Sequence, residues 1–492
     1  MHYLVRLSPD ITTKADRTRR RFMRMLVDNL RDAAQSEGMR ARVDPGWARL
    51  HIESDDARIE EVACRVFGVH SVSRVEVRDA ASLQALAGDA ATWFRPLMQG
   101  KTFAVRARTG GTPCFRGREV ETELGALLAP HGKVQLVDPE VTCHVEVRDA
   151  TAYLFTDSMP GWRGLPIASQ GRAVALVSGG FDSAVAAWMM LRRGVALDYV
   201  FCRLGGAVHT QGTLRVLRLL AGRWGYGARA QVHIVPFEDV VERIRSSCRP
   251  SMWQLVLKRA MYRVAQGAAR FNRGQGIITG ESLGQVSSQT LKNLRALDGR
   301  LRLPLLRPLL GLDKEEIIER TRVIGTYALS ATVQEYCAIV PTKPAVAAKP
   351  EEVAGEEVKV TLGVDALLDA SRVLDARRLG EADWAIDDLE IEEIPDGASV
   401  LDLRGEHGFA AWHYPGAQRV DLPYALKHLD DFESGRTYVL YCEFGLKSAF
   451  LAEQLRAAGH TAFNFRNGLR GLIEYAAARN LVPLEILDLA SS

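Results

Sequence analysis

No apolar run in the 492-residue chain approaches the roughly 18 residues that a membrane span needs, and the start, Met1 to Arg6, has no signal-peptide core. A cytoplasmic protein without membrane contact is expected. The seven cysteines (64, 114, 143, 202, 248, 337 and 442) are odd in number, scattered and without a C-x-x-C pair. That removes a disulfide scaffold and a zinc site as organising features, so any functional cysteine has to be argued singly. A Walker A loop is missing too, because no Gly-x-x-x-x-Gly-Lys-Ser/Thr occurs. Net charge is almost absent at +3, but the charges are segregated. Residues 1–170 carry 24 Lys+Arg against 22 Asp+Glu, residues 171–345 carry 25 against 12, and residues 346–492 carry 14 against 26. The basic middle would attract a polyanion much larger than a nucleotide, and the acidic end would meet it only in passing or face a basic protein.

What is present is concentrated at Ser178-Gly179-Gly180-Phe181-Asp182-Ser183, entered by an apolar strand-like run, Arg172 to Val177, and left by a helix-like run, Ala184 to Arg193. Two glycines let the backbone turn tightly against an anion, and successive N–H groups at a helix start supply donors and the positive end of a dipole. Ser178 and Ser183 add hydroxyls. Asp182 is out of place beside phosphate unless it holds Mg²⁺ or aligns the substrate. The string resembles the PP-loop of the ATP pyrophosphatase superfamily, whose members split ATP to AMP and pyrophosphate while adenylating a carbonyl oxygen.

The length suits three or four domains. Residues 1–80 read β-α-β-β-α-β, the ferredoxin-like order, with a helix over 13–37 whose Phe22, Met25, Leu26, Leu30 and Ala33 share one face. Arg17, Arg19, Arg20, Arg21 and Arg24 on that helix form a basic face open to solvent or phosphate. Residues 81–168 resemble a THUMP domain, an RNA-binding module, with Arg106 and Arg108 alternating with Phe103, Val105 and Ala107 along a strand and offering RNA contacts. Residues 169–343 alternate strands and helices as a doubly wound parallel sheet, which puts the nucleotide at the carboxyl ends of the strands. Gly280-Glu-Ser-Leu-Gly-Gln-Val-Ser-Ser-Gln-Thr290 leaves one such end, and its small and amide side chains suit hydrogen bonds to a base or ribose. The Pro/Ala/Glu-rich stretch opening 344–392 reads as a linker.

Residues 393–492 return to α/β order, and a strand over 437–441 delivers Cys442-Glu-Phe-Gly-Leu-Lys-Ser448. Backbone N–H donors, a helix start and Lys447 would stabilise a thiolate or persulfide anion there. With Asp402-Leu-Arg404 and Pro415-Gly-Ala417, the loop resembles a rhodanese domain, which carries sulfur as a cysteine persulfide. Glu443 and Phe444 stand where thiosulfate-using rhodaneses often place Arg, so a protein persulfide is the better donor.

Ferredoxin-like, THUMP, PP-loop and rhodanese domains in this order resemble the tRNA 4-thiouridine synthetase (ThiI) family over essentially the whole chain, and the 280–290 run and Glu335-Tyr-Cys337 are similar to that family's own motifs. The resemblance implies ATP and Mg²⁺ as cofactors. It implies tRNA uridine 8 as acceptor, a cysteine desulfurase as sulfur donor and, in some members, a small sulfur-carrier protein of thiamine thiazole synthesis. ATP would meet Leu176, Val177, Ser178, Gly179, Gly180, Ser183, Lys258, Gly280 and Gln289. Asp182 would serve adenylation, and Lys314 is a further candidate catalytic lysine beside its plainer reading as a helix-start surface residue. Cys442 would bear the persulfide, and Cys337 would be its disulfide partner. The competing readings are a PP-loop tRNA-modifying enzyme of other specificity and a non-catalytic RNA-binding sulfur relay.

Overall fold

The computed structural model describes residues 1–483 apart from 47, 48, 205, 300, 334–342, 386, 387 and 444, and divides into two compact units. The first comprises Met1–Gly171 with Leu191–Ala196 and Arg223–Ala228. Its long helix, Asp16–Ser36, buries Phe22, Met23, Leu26, Val27, Leu30, Ala33 and Ala34, the spacing of one helical face. The helix expected from residue 13 begins three residues later, at Asp16, after a separate short helix at Pro9–Thr12. That face covers strands His2–Leu7, Ala41–Pro45, Arg49–Ser54 and the start of Val69–Asp79, with Val5, Val43, Leu50 and Val72 beneath it.

The ferredoxin-like and THUMP parts share one sheet. Val69–Asp79 pairs antiparallel with His2–Leu7 over its first half and with Thr151–Phe155 over its last four residues. Helices Leu83–Met98 and Gly117–Leu128 bury Phe94, Met98, Leu124 and Leu128 against Phe103, Cys143 and Val145 of the THUMP strands. Arg106 and Arg108 lie exposed two residues apart on strand Thr102–Gly110, as the alternation predicts.

The second unit comprises Arg172–Met190, Leu197–Gly222 and Arg229–Ser492. Its larger sheet runs Leu305–Leu306, Ile277–Ile278, Arg172–Leu176, Ala196–Arg203, Gln231–Pro236, Arg372–Asp375. The strand first in sequence is central and later strands build out on both sides, so a crevice opens at the end of Arg172–Leu176. The outermost strand departs from the expected parallel arrangement: Arg372–Asp375 pairs antiparallel with Gln231–Pro236.

That strand belongs to the stretch expected as a linker, and the expectation has to be corrected. Pro350–Lys359 and Val364–Asp369 are helices, and Val353, Val360 and Leu368 are buried in the same core as Val174 and Ile277. Pro350 sits at a helix start, followed by Glu351 and Glu352 in the first turn, so Pro and Glu here are helix-initiating rather than linker residues. Glu356 accepts from the Arg249 backbone N–H (3.0 Å) and Nε (2.8 Å), and Glu357 pairs with Arg259 (2.7 Å) and Arg263 (3.3 Å). The last sheet is wholly parallel, ordered Glu390–Ile391, Thr461–Phe465, Thr437–Tyr441, Ser399–Asp402, Gln418–Arg419, so it starts before the expected boundary at 393. Its central strand leads straight into Cys442.

Arg259 and Glu357 are 3% and 8% exposed at their side chains, so removing one strands the other. Glu357→Ala should lower stability by about 3 kcal/mol, read as a drop in the thermal unfolding midpoint, while the exposed Glu351→Ala should leave the midpoint in place; equal midpoints would return 350–359 to the status of a tether.

Candidate active site

Strand Arg172–Leu176 is followed by Val177, and helix Phe181–Arg192 begins directly after Ser178-Gly179-Gly180. Gly179 has φ +75°, and a Cβ there would lie 2.8 Å from Thr213 Oγ1. The Ser183 hydroxyl ties the loop, accepting from the Ser178 N–H (3.2 Å) and donating to the Gly180 carbonyl (3.3 Å). Helix Ala207–Trp224 holds it from the other side: Thr213 Oγ1 donates to the Ser178 carbonyl (3.2 Å), and His209 Nε2 lies 3.2 Å from the same oxygen. Burial pushes His209 below the usual imidazole range, so its ring is neutral near pH 7 and Nε2 can donate.

Asp182 faces two partners that sequence spacing could not reveal. Lys314 Nζ is 2.8 Å from Oδ1, and Gln285 Nε2 is 2.8 Å from Oδ2. Lys314 opens helix Lys314–Ile324, capped by Asp313 and Glu316, and its ammonium lies 5.5 Å from the Phe181 ring centroid. Lys314 thus opens a helix, with its side chain 37% exposed, and is at the same time paired with Asp182.

A cavity of about 320 Å³ opens above the loop. Of the residues expected to meet ATP, Leu176, Val177, Ser178, Gly180, Ser183, Lys258, Gly280 and Gln289 line it, as does Asp182; Gly179 lies in the turn beneath and is not among them. Gly280 is required by a close approach, since a Cβ there would come within 2.7 Å of the Asp182–Ser183 peptide. Part of the run after it is structural rather than ligand-facing, because Ser282 Oγ donates to the Leu312 carbonyl and Asn293 ties Ser287 to Ala345.

Glu281 was not singled out from the sequence, yet it organises the cavity floor. Oε1 accepts from Lys258 Nζ (2.6 Å) and the Tyr262 hydroxyl (2.6 Å), and Oε2 from Arg307 Nε (2.7 Å) and Thr279 Oγ1 (3.1 Å). Burial pushes its carboxyl up, but Lys258 and Arg307 outweigh burial and hold it down at about 2. Burial, then the adjacent Glu281 charge, pushes the Tyr262 hydroxyl well above the usual phenol range, so it stays a donor.

In the last domain Cys442 is 3% exposed, with Ser448 Oγ 3.3 Å from its sulfur. Gly445, at φ +75°, lets the loop close against Gly468. Asp402 and Arg404 form a buried two-bond fork (3.0 and 2.6 Å) beside Tyr441, so that motif braces the loop from below. Burial pushes the Cys64 and Cys143 thiols up to about 12 and raises Cys202 and Cys248 as well, which leaves them packing residues. Cys337 lies outside the described residues. A cavity of about 990 Å³ next to the Cys442 loop brings Arg404 and Glu443 together with Arg215 and Arg218 of helix Ala207–Trp224. In the first unit, Arg108 opens into a cleft with Arg49 and Arg148, and Arg106 donates to the Leu136 carbonyl.

Sequence profiles match the chain in four consecutive blocks: the ThiI ferredoxin-like domain over residues 2–73, the THUMP domain over 80–157, the thiamine biosynthesis protein ThiI over 168–362 and the rhodanese-like domain over 381–474. The tRNA sulfurtransferase of Pyrobaculum aerophilum is 38% identical over 480 residues, 96% of each chain. The chain belongs to the ThiI family. The tRNA sulfurtransferase of Proteus mirabilis is 34% identical over 93% of this chain and 98% of its own. The crystal structure of a 4-thiouridine synthetase–RNA complex with bound ATP superposes with a TM-score of 0.67 at 27% identity, covering 76% of this chain and 98% of that one. In this ThiI-family chain the ferredoxin-like, THUMP, PP-loop and rhodanese architecture stands as expected.

Glu281 has a folded value of about 2 against 4.5 for a free carboxyl. Its stabilising contribution is therefore complete above about pH 5 and is lost as pH falls toward 2, an effect on the order of 3 kcal/mol. Glu281→Gln should flatten the fall in stability between those pH values, measured as the slope of urea midpoint against pH; an unchanged slope would mean that Glu281 is not ionised in the folded protein.

Proposed function

We propose that this protein is an ATP-dependent tRNA sulfurtransferase that converts uridine 8 of tRNA to 4-thiouridine. The observation that supports this most directly is the Asp182 carboxylate held between Lys314 and Gln285 at the mouth of the Ser178 loop, in a chain that also carries Cys442 on a rhodanese loop. The uridine O4 attacks the α-phosphorus of ATP, pyrophosphate leaves, and the oxygen becomes part of an AMP ester that departs readily. Lys314, released from Asp182, meets the charge that grows on the α-phosphate. Lys258 is held at the cavity by Glu281, and Gln289 and the Gly280 backbone face the base or ribose.

Among the described residues no cluster of three His, Cys, Asp or Glu side chains could hold a metal. Asp182 would add a carboxylate to a Mg²⁺ that arrives on the triphosphate once Lys314 moves off its Oδ1, and sparse protein ligation of that kind suits Mg²⁺. Glu281, the other carboxylate on the cavity, has its oxygens engaged by Lys258, Tyr262, Arg307 and Thr279.

Sulfur enters as a persulfide on Cys442, supplied by a cysteine desulfurase. The outer sulfur attacks C4 and displaces AMP, leaving a C4–S–S–Cys442 linkage. The Cys337 thiolate attacks Cys442 Sγ, releasing the thiouridine sulfur and forming a Cys337–Cys442 disulfide. A dithiol reductant supplies the two electrons that restore both thiols. The basic 171–345 segment and the Arg106 and Arg108 strand face supply phosphate contacts to the tRNA. The same persulfide could be passed to a sulfur-carrier protein of thiamine thiazole synthesis.

The test is mass spectrometry of nucleosides from unmodified tRNA incubated with the protein, ATP, Mg²⁺, a cysteine desulfurase and cysteine. Wild type should yield 4-thiouridine, and its absence would overturn the reading. Asp182→Ala and Lys314→Ala should each slow pyrophosphate release by about 100-fold. Cys442→Ser should release pyrophosphate normally and make no 4-thiouridine.

A further inference from the structure

Helix Ala207–Trp224 touches two sites with two faces. His209 and Thr213, one turn apart, meet the Ser178 carbonyl of the ATP loop. Gln211 lies about 200° around the helix axis from His209, on the opposite face, and its Nε2 donates to Glu390 Oε1 of the rhodanese sheet (3.1 Å). From Glu390 a hydrogen-bonded chain runs to the sulfur. Asn464 Nδ2 donates to the same Oε1 (3.4 Å), Ser448 Oγ donates to Asn464 Oδ1 (2.6 Å), and Ser448 Oγ is 3.3 Å from Cys442 Sγ.

Gln211, Glu390, Asn464, Ser448 and Cys442 are all buried. Ser448 has one hydrogen. Asn464 Oδ1 at 2.6 Å and Cys442 Sγ at 3.3 Å therefore compete for that hydrogen, and beside a neutral thiol the shorter contact to Asn464 holds it. Once Cys442 carries an anionic sulfur, the hydroxyl turns to donate to it, the stronger bond. A buried carboxylate and amide across a domain contact are a costly way to glue two surfaces, since apolar packing would hold them more cheaply. The cost is visible at Gln211, whose Oε1 is buried without a hydrogen-bond partner among the described residues. Such contacts specify one arrangement rather than add strength.

We propose that Gln211 and Glu390 are positioning residues for sulfur delivery: their hydrogen bond sets the Cys442 loop in register with the helix that holds the ATP loop. The latch acts on the transfer step alone. Adenylation needs only the Ser178 side of the helix, and loading of Cys442 needs only the rhodanese domain. The proposal rests on Cys442 as the sulfur carrier of the proposed function.

Full-length variants are compared by three readouts: pyrophosphate release with tRNA and ATP, persulfide on Cys442 by intact-protein mass spectrometry after a desulfurase and cysteine, and single-turnover formation of 4-thiouridine. Gln211→Ala should slow 4-thiouridine formation by about tenfold with the first two readouts at wild-type levels. Gln211→Glu sets two carboxylates against each other and should be slower still. Gln211→Asn keeps the amide but shortens its reach, and leaves Glu390 with Asn464, so it should fall between wild type and Gln211→Ala. Wild-type transfer by Gln211→Ala or by Gln211→Glu, or parallel loss of all three readouts, would each overturn the latch. Failure of wild type itself to make 4-thiouridine would instead overturn the proposed function.

Discussion

A carboxylate buried under a nucleotide cavity has to be neutralised where it stands, and the arrangement around Glu281 follows from that requirement. Lys258 and Tyr262 reach it from helix Trp253–Ala268, Thr279 from the end of a strand, and Arg307 from just beyond the neighbouring strand. One charge thus fixes the helix and two strand ends that wall the cavity, and it holds the Lys258 ammonium at the site. Arg307 also reaches Asp298, which ties the following helix, Leu291–Asp298, into the same network. Lone burial would drive Glu281 neutral, and its four hydrogen-bond partners, Lys258 and Arg307 above all, hold its carboxyl down instead.

In the proposed reaction the two centres make opposite demands. The Ser178 loop must stay open to a triphosphate and a flipped or exposed base, so it is built from backbone donors at a strand end with a cavity above them. Cys442 must keep a reactive sulfur from water and from stray thiols, so it lies beneath the surface with a serine hydroxyl at hand. On that proposal a sulfur carried at the buried Cys442 is received and released through movement of the loop or of its domain. The helix shared by both centres gives that movement a defined docked state to return to.

Much of this was legible in the sequence wherever function is written into contiguous residues. The Ser178 loop announces itself by two glycines between a strand and a helix, and Cys442 by a strand, a short loop and a helix start. The helix expected over 13–37 could be placed to within three residues because Phe22, Leu26, Leu30 and Ala33 share one buried face. What could not be read joins distant positions. Tyr262, Lys258 and Arg307 are 19, 23 and 26 residues from Glu281, with no local pattern to announce them. Lys314 lies 132 residues from Asp182 and reads locally as a helix start. The 350–369 stretch misled for a related reason. Its glutamates look like solvent-facing charge until Arg249, Arg259 and Arg263, about a hundred residues earlier, are brought against them.

The antiparallel strand Arg372–Asp375 bears on how such a chain can be assembled from parts. Without it, Gln231–Pro236 would form the sheet margin, and its unpaired N–H and C=O groups would invite pairing with other chains. A gene that ends or is joined just after this strand keeps the margin closed, whereas one interrupted before it leaves a sticky border. The permissible junction for gaining or shedding a rhodanese module by gene fusion therefore lies downstream of Asp375, inside what composition alone would pass as disposable connector.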